Sequence, residues 1–398
     1  MSDDADFKFD DETEAFEGSA KSTSDRAIER KFETGRLRVV QEQNSFFLPH
    51  VVDFIEGRKW GNLRPKYQRR LRWDNRKKSK LIESFLMNVP VPPVFLYENG
   101  IGKFEVMDGQ QRLNAVLEYM TNRFPLSNLE IWSELNGRTY SQLPPLVRRG
   151  LDRAKVSAIT LMSDMGSEKV DSIDLRAQVF DRLNSGGVRL NQQELRNSLF
   201  GGSFNDLIVH LSGTAKFTDA WNIPAHAENV FDDGTVSDLL ISNTLYKQMM
   251  DCEIVLRFFA FRQDDKYIVG SVKKILDNTM KRYRNAPDEQ IAELSRSFST
   301  TLNFVRKVLG ETVFRLAPSE DNTRRLSRPL YDAEMVAFEK FLDREAEVLR
   351  AKPQIVEALE AATRPNSNDY ETLVGRGNTA QTIKDRIQRV EEIINGVI

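Results

Sequence analysis

The sequence predicts an α+β protein of 398 residues, and three observations carry that expectation. Short apolar runs bounded by turn residues recur in the first half, at Val94 to Tyr97, Lys103 to Met107 and Val156 to Met162, with the length of buried strands. From Phe204 onward the apolar residues recur at helical spacing instead. Between Met107 and Leu113, the polar elbow Asp108-Gly109-Gln110-Gln111-Arg112 joins a strand directly to a helix.

Taken in order, the chain opens with an acidic leader. Residues 1–25 hold nine carboxylates against Lys8 and Lys21, a balance of −7, so the remainder carries +5 of the net −2. Such a segment, poor in apolar residues, is expected to be a disordered tail. Ser24 to Asn44 reads as a helix leading to a short strand, and Val51 to Ile55 starts an element that ends near Gly57. Asp74 or Asn75 caps a helix with Leu81, Ile82, Phe85 and Leu86 on its apolar face. Proline ends that helix at Val89-Pro90-Val91-Pro92-Pro93. Val94 to Tyr97 and Lys103 to Met107 flank Glu98-Asn99-Gly100-Ile101-Gly102 as a hairpin.

After the elbow, Leu113, Val116, Leu117 and Met120 recur at i, i+3, i+4, i+7, the core-facing stripe of a helix. Asn136-Gly137 and Pro144-Pro145 punctuate a loop-rich stretch before the strand Val156 to Met162. Asp171 to Asn184 reads as a helix ended by Ser185-Gly186-Gly187. Asn191-Gln192-Gln193-Glu194 is a capping box for the next helix. The remaining helices are expected at Leu239 to Met250, Glu253 to Phe261, Val272 to Arg284, Asp288 to Leu309, Tyr331 to Leu342 and Thr379 to Ile394. The expected domains are the tail 1–25, a strand-containing domain 26–200 and a helical domain 201–398.

Composition narrows the function. Hydrophobic content of 40% and charged content of 29% fit a soluble globular protein, expected in the cytoplasm. One cysteine, Cys252, excludes a disulfide framework within the chain, and three dispersed histidines, His50, His210 and His226, argue against zinc. No apolar run reaches bilayer-spanning length, and the acidic start is unlike a secretory signal.

Two stretches point to chemistry. The elbow places a helix N-terminus, which attracts anions, beside Gly109 for close backbone approach, Arg112 as a planar cation and Asp108 as a carboxylate. An aspartate capping an ordinary helix is the alternative reading. The second stretch runs from Arg64 to Lys80, where Arg64, Lys66, Arg69, Arg70, Arg72, Arg76, Lys77, Lys78 and Lys80 face only Asp74. Tyr67 and Trp73 are interleaved with these cations, a composition suited to phosphates and stacked bases. The alternative for Arg76 to Lys80 is a solvated helix face.

Three ordered segments give a resemblance. Tyr67-Gln68-Arg69-Arg70-Leu71-Arg72-Trp73 precedes Leu81-Ile82-Glu83-Ser84-Phe85-Leu86 and the proline run. The elbow Asp108 to Leu113 follows, and Phe180-Asp181-Arg182-Leu183-Asn184-Ser185-Gly186-Gly187-Val188-Arg189-Leu190 comes before Glu194-Leu195-Arg196-Asn197. Over roughly residues 45–200 this set resembles the N-terminal domain of GmrSD-type modification-dependent restriction endonucleases, of the ParB/sulfiredoxin-like superfamily. The resemblance implies an N-terminal ParB/sulfiredoxin-like α/β domain that binds and often hydrolyses a nucleoside triphosphate, GTP or ATP with Mg²⁺, in defence against foreign DNA.

On this chain the resemblance implies that Gly109, Gln110, Gln111 and Arg112 cradle phosphates while Asp108 positions Mg²⁺ or water. Gln68 and Arg69 would close the pocket, and Asn184, Arg189 and Arg196 would complete it. Tyr67, Arg70, Arg72 and Trp73 fall to nucleic acid. Glu194 is assigned to its capping box. Full-length members end in a His-Asn-His nuclease domain; the second half here has only His210 and His226, so cleavage is not carried over. The implied partners are DNA, with or without modified bases, a separate nuclease and a second copy of the chain, with no membrane. A non-enzymatic sensor of modified DNA and a self-contained metal-dependent nuclease are the competing readings.

Overall fold

A strand, two short helical turns and a second strand lead into the first half of the molecule. In the computed structural model, residues 25–26, 29, 39–62, 73–98, 101–163, 191–231, 236–375 and 377–398 are described. Residues 40–398 form one compact unit and residues 1–39 a separate one.

Strand β1 (Val39–Phe47) passes into helix α1 (Leu48–Val52), a π-helical turn at Asp53–Gly57 and strand β2 (Gly61–Asn62). The strand begins well before the expected end of the Ser24 to Asn44 helix, in keeping with the β-branched and aromatic residues Val39, Val40, Phe46 and Phe47 at its two ends. Helix α2 (Asn75–Leu86) is capped by Asp74, whose Oδ1 accepts from Lys77 N at 2.8 Å. It stops ahead of the proline run. Strands β3 (Val94–Glu98) and β4 (Phe104–Asp108) form the expected antiparallel hairpin, and helix α3 (Gln110–Met120) follows the elbow.

The expected loop before the third apolar run contains a helix that periodicity did not show, α4 (Pro145–Asp152). Its second proline opens the helix instead of breaking a loop, because a first-turn proline gives up no intrahelical hydrogen bond. Strand β5 (Lys155–Ser163) completes a five-stranded sheet in the order β1-β5-β3-β4-β2. Pairing is parallel for β3 with β5 and for β2 with β4. Its core joins Ile82 and Phe85 of α2, Val94, Leu96 and Val106 of the sheet, and Leu113, Val116 and Tyr119 of α3. The loop after α3 is tied down by α2: Glu83 Oε1 accepts from Ile131 N and Trp132 N, and Ser79 Oγ accepts from Ser127 N.

The second half is helical: α5 (Gln192–Leu199), α6 (Ser203–Ser212), α7 (Ala215–Ala220), α8 (His226–Asn229), α9 (Asp238–Ser242), α10 (Thr244–Lys247), α11 (Met250–Phe261), α12 (Val272–Tyr283), α13 (Asp288–Leu309), α14 (Arg328–Glu339), α15 (Glu345–Arg350), α16 (Lys352–Ala362), α17 (Tyr370–Val374) and α18 (Ala380–Asn395). The fold class is α+β. Helix α13 and the capped start of α18 lie where the periodicity puts them. The single helix expected over Leu239 to Met250 is instead three elements. Asn243 turns extended there and caps the next turn, and Met249 adopts a positive φ of 56° before α11. Helix α11 is buried on nearly all sides and forms the centre of this half. The helix expected over Asp171 to Asn184 lies outside the described residues.

Candidate functional site

The elbow owes its shape to an irregularity in the hairpin. Phe95 pairs with Asp108, but Leu96 pairs with Val106, so β4 carries one extra residue, Met107. That bulge breaks the alternation of the strand: Val106 and Met107 are both buried, and Asp108 is re-aimed at the strand end. Gly109 follows with φ 93°, the left-handed region that glycine enters without a Cβ penalty. A Cβ there would lie 2.4 Å from Val94 Cγ1 and 3.0 Å from Arg112 Nη2. Glycine is therefore required twice over, by backbone angle and by space. The alternative of an aspartate cap is not what forms, since the N-cap position belongs to Gly109 and no side chain caps α3.

Arg112 faces back across this turn. Its Nη2 donates to Asp108 Oδ2 at 2.6 Å and to the Pro93 carbonyl at 3.2 Å. The side chain is 17% exposed, and Nε is buried with no hydrogen-bond partner among the described residues. A buried guanidinium N–H without an acceptor is costly, and an anion oxygen is what satisfies it best. Gln110 and Gln111 are buried in the first turn of α3, and Gln111 Oε1 accepts from Trp73 N at 3.3 Å. Asp108, Gly109, Gln110, Gln111 and Arg112 are therefore together at one strand end. Sequence reasoning missed the parts that position them: the Met107 bulge, Val94 under the glycine, and the Pro93 carbonyl.

Of the other expected site residues, Tyr67, Gln68, Arg69, Arg70, Arg72, Asn184 and Arg189 lie outside the described residues. Trp73 is half-buried against the core of the sheet, so its ring serves packing. Lys78 and Lys80 are engaged by carboxylates, Glu118 at 2.5 Å in a mostly buried pair and Glu130 at 2.9 Å in an exposed one.

Arg196 is employed elsewhere. Its Nη1 donates to Glu253 Oε2 at 2.9 Å and its Nε to Asp277 Oδ1 at 2.7 Å, with the side chain 3% exposed. It anchors α5 to α11 and α12. Asn191 supports the same anchor through Nδ2 to the Gln248 carbonyl at 2.7 Å, and its capping box with Glu194 is formed. Burial pushes the Glu253 carboxyl up, but Arg196, Arg257 and Arg328 outweigh burial and hold it below the usual carboxylate range. The expected role for Arg196 at a phosphate thus competes with an ion-pair network that already uses its guanidinium inside the helical half.

For metals, no group of three or more His, Cys, Asp or Glu residues suited to an ion is present among the described residues. Asp108 stands as a single carboxylate, a donor set that fits Mg²⁺ carried largely by phosphate oxygens and water. No helix among the described residues is long and apolar enough to cross a membrane.

Comparison with known proteins adds one match. The family model described as GmrSD restriction endonuclease, N-terminal domain, matches residues 51–201, which span α1 through α5 and contain the elbow. No curated protein and no solved structure matches the chain. Over residues 51–201 the chain is thus similar to the N-terminal domain of GmrSD restriction endonucleases.

Proposed function

We propose that the elbow binds the phosphates of a nucleoside triphosphate, GTP or ATP, and promotes hydrolysis, in a restriction-like module of defence against foreign DNA. The observation that carries this reading is Arg112, whose buried Nε points at no acceptor among the described residues while its Nη2 is held by Asp108. A bound phosphate would supply the missing acceptor. The glycine turn lets backbone approach a phosphate closely, and the first turn of a helix presents N–H groups that its own carbonyls do not use. Arg112 would stabilise charge that develops on the transferred phosphoryl group, and Gln111 would orient the attacking water.

Asp108 is the residue to hold Mg²⁺, which when bound neutralises phosphate charge. Gln68, Arg69, Asn184 and Arg189 belong to the same proposal as residues that close the pocket. Tyr67, Arg70 and Arg72 belong to it as DNA contacts. The nucleotide state would control engagement of DNA or of a partner nuclease. Phosphate release from GTP and ATP, with and without DNA, tests the reading in the native chain and in Asp108→Asn. Mg²⁺-dependent release that the substitution abolishes supports it; equal release from both proteins counts against it.

A further inference from the structure

The region between Leu135 and Ser163 holds five cations, Arg138, Arg148, Arg149, Arg153 and Lys155, and a single carboxylate, Asp152. That carboxylate is already engaged, since Asp152 Oδ1 accepts from Tyr140 Oη at 2.5 Å. Arg58 pairs with Asp53 at 3.0 Å, Lys80 with Glu130 at 2.9 Å and Arg123 with Glu56 at 2.6 Å, whereas the exposed Lys59, Arg76, Lys77 and Lys103, like the arginines here, have no carboxylate at ion-pair distance among the described residues. Among the described residues, none of Arg148, Arg149 and Arg153 has a carboxylate at ion-pair distance, and all three are exposed.

Their arrangement is set by α4. Leu151 and Val147 turn its inner side to the core, which leaves Arg149 and Arg153, four residues apart, on the outer face beside Leu146, itself 75% exposed. The chain then runs through Ala154 into a cleft of about 330 Å³. Lys155, Ser157 and Asn88 give this cleft polar groups, and Phe85, Val89 and Val91 give it apolar walls. The Lys155 ammonium lies 4.7 Å from the Phe47 ring centroid.

We infer that the outer face of α4 and the adjoining cleft form a docking surface for the phosphodiester backbone of DNA. Unpaired arginines along one helix face match a line of phosphates, and the cleft beside them supplies directed hydrogen-bonding groups where a nucleotide unit of the strand passes. An acidic protein partner would need only the charge; the cleft that begins at Ala154, the residue after Arg153, and offers Lys155, Ser157 and Asn88, favours a strand. The inference rests on the reading that this protein engages DNA, and it names a surface distinct in sequence from Arg64 to Lys80.

The test is fluorescence anisotropy with a labelled duplex of about 25 base pairs across a salt series. It compares the native chain, Arg148→Gln/Arg149→Gln/Arg153→Gln, and a control, Lys216→Gln/Lys247→Gln/Arg350→Gln, that removes the same charge from exposed sites in the helical half. Each phosphate neutralised contributes about 0.9 to the salt slope, so the α4 variant should lose about 2 to 3 from it and bind roughly tenfold or more weakly near physiological salt. The control should keep the native slope. Circular dichroism of both variants should match the native chain because all the replaced side chains are exposed.

A duplex that binds the native chain and the α4 variant equally overturns the inference and leaves DNA engagement standing. A slope that falls as far in the control refers binding to net charge and also overturns it. A poly-glutamate competitor that displaces the native chain's duplex at equal charge replaces it with an acidic-protein surface. No duplex binding by the native chain removes both DNA engagement and this surface.

Discussion

Gly109→Ala is the sharpest perturbation of the elbow, because two separate costs can be read from its geometry. The residue sits at φ 93°, where an L side chain costs about 1–2 kcal/mol. The new Cβ also meets Val94 Cγ1 at 2.4 Å and Val94 Cβ at 2.9 Å. Val94 is 1% exposed in the sheet core and pairs with Ala158 of β5, so it has little room to retreat. Forcing a methyl into a packed site of this kind costs about 1–3 kcal/mol. The two together give about 2–5 kcal/mol of lost stability, read as a fall in the urea midpoint at unchanged slope. Val94→Ala in the same chain removes the Cγ1 contact, the closer of the two, while its Cβ stays at 2.9 Å, so it relieves part of the second cost and leaves the first. The double mutant should therefore be more stable than the sum of the single changes, by up to about 3 kcal/mol. Additive single changes, or a Gly109→Ala protein as stable as the native one, would refute the left-handed turn packed on Val94.

Further expectations concern the helical half. Arg196→Met removes the hydrogen-bonded cation of Glu253 and Asp277, leaving Glu253 to Arg257 and Arg328, and should cost about 1.5–3 kcal/mol, while nucleotide affinity of the folded protein stays at the native value; a selective loss of nucleotide binding at native stability would return Arg196 to the phosphate site. Glu334 is buried on α14, with its carboxyl pushed up to about 8 by burial, offset in part by the bond from Phe314 N at 2.9 Å. The native state then keeps a proton that the unfolded chain releases above its ordinary value of 4.5. Stability should accordingly fall as pH rises from about 4.5 to about 8, and Glu334→Gln should flatten that slope. Urea midpoints at pH 5 and pH 8 decide it, and equal midpoint shifts in both proteins would contradict the buried acid.

What could be read from the sequence were features with a local cause. Asp74, Asn191 and Thr379 announce helix starts because a cap needs only its own first turn. Glu98 to Gly102 announces a hairpin for the same reason. The elbow was legible as a strand-to-helix junction, but its geometry was not, since the Met107 bulge is a relation between β3 and β4 and leaves no mark on either strand alone. Helix α4 escaped because two prolines and two adjacent arginines obscure a short apolar period made only of Val147 and Leu151. Arg196 looked like part of a phosphate motif because the carboxylates that use it, Glu253 and Asp277, lie 57 and 81 residues away. Long-range ion pairs of that kind are set by packing of the helical half and carry no signature at Arg196 itself.

The proposed phosphate role of the elbow is tested most directly by calorimetric titration of GTP and of ATP, each with Mg²⁺, into the native chain and into Arg112→Ala. Because Arg112 also bonds Asp108 and Pro93, circular dichroism and a urea midpoint must first show the variant folded at the titration temperature. A charge-assisted bond from the guanidinium is worth about 1.5–3 kcal/mol, so one nucleotide should bind the native chain and bind folded Arg112→Ala roughly tenfold to a hundredfold more weakly. Equal affinity in the two folded proteins, or no heat from either nucleotide with the native chain, would contradict it.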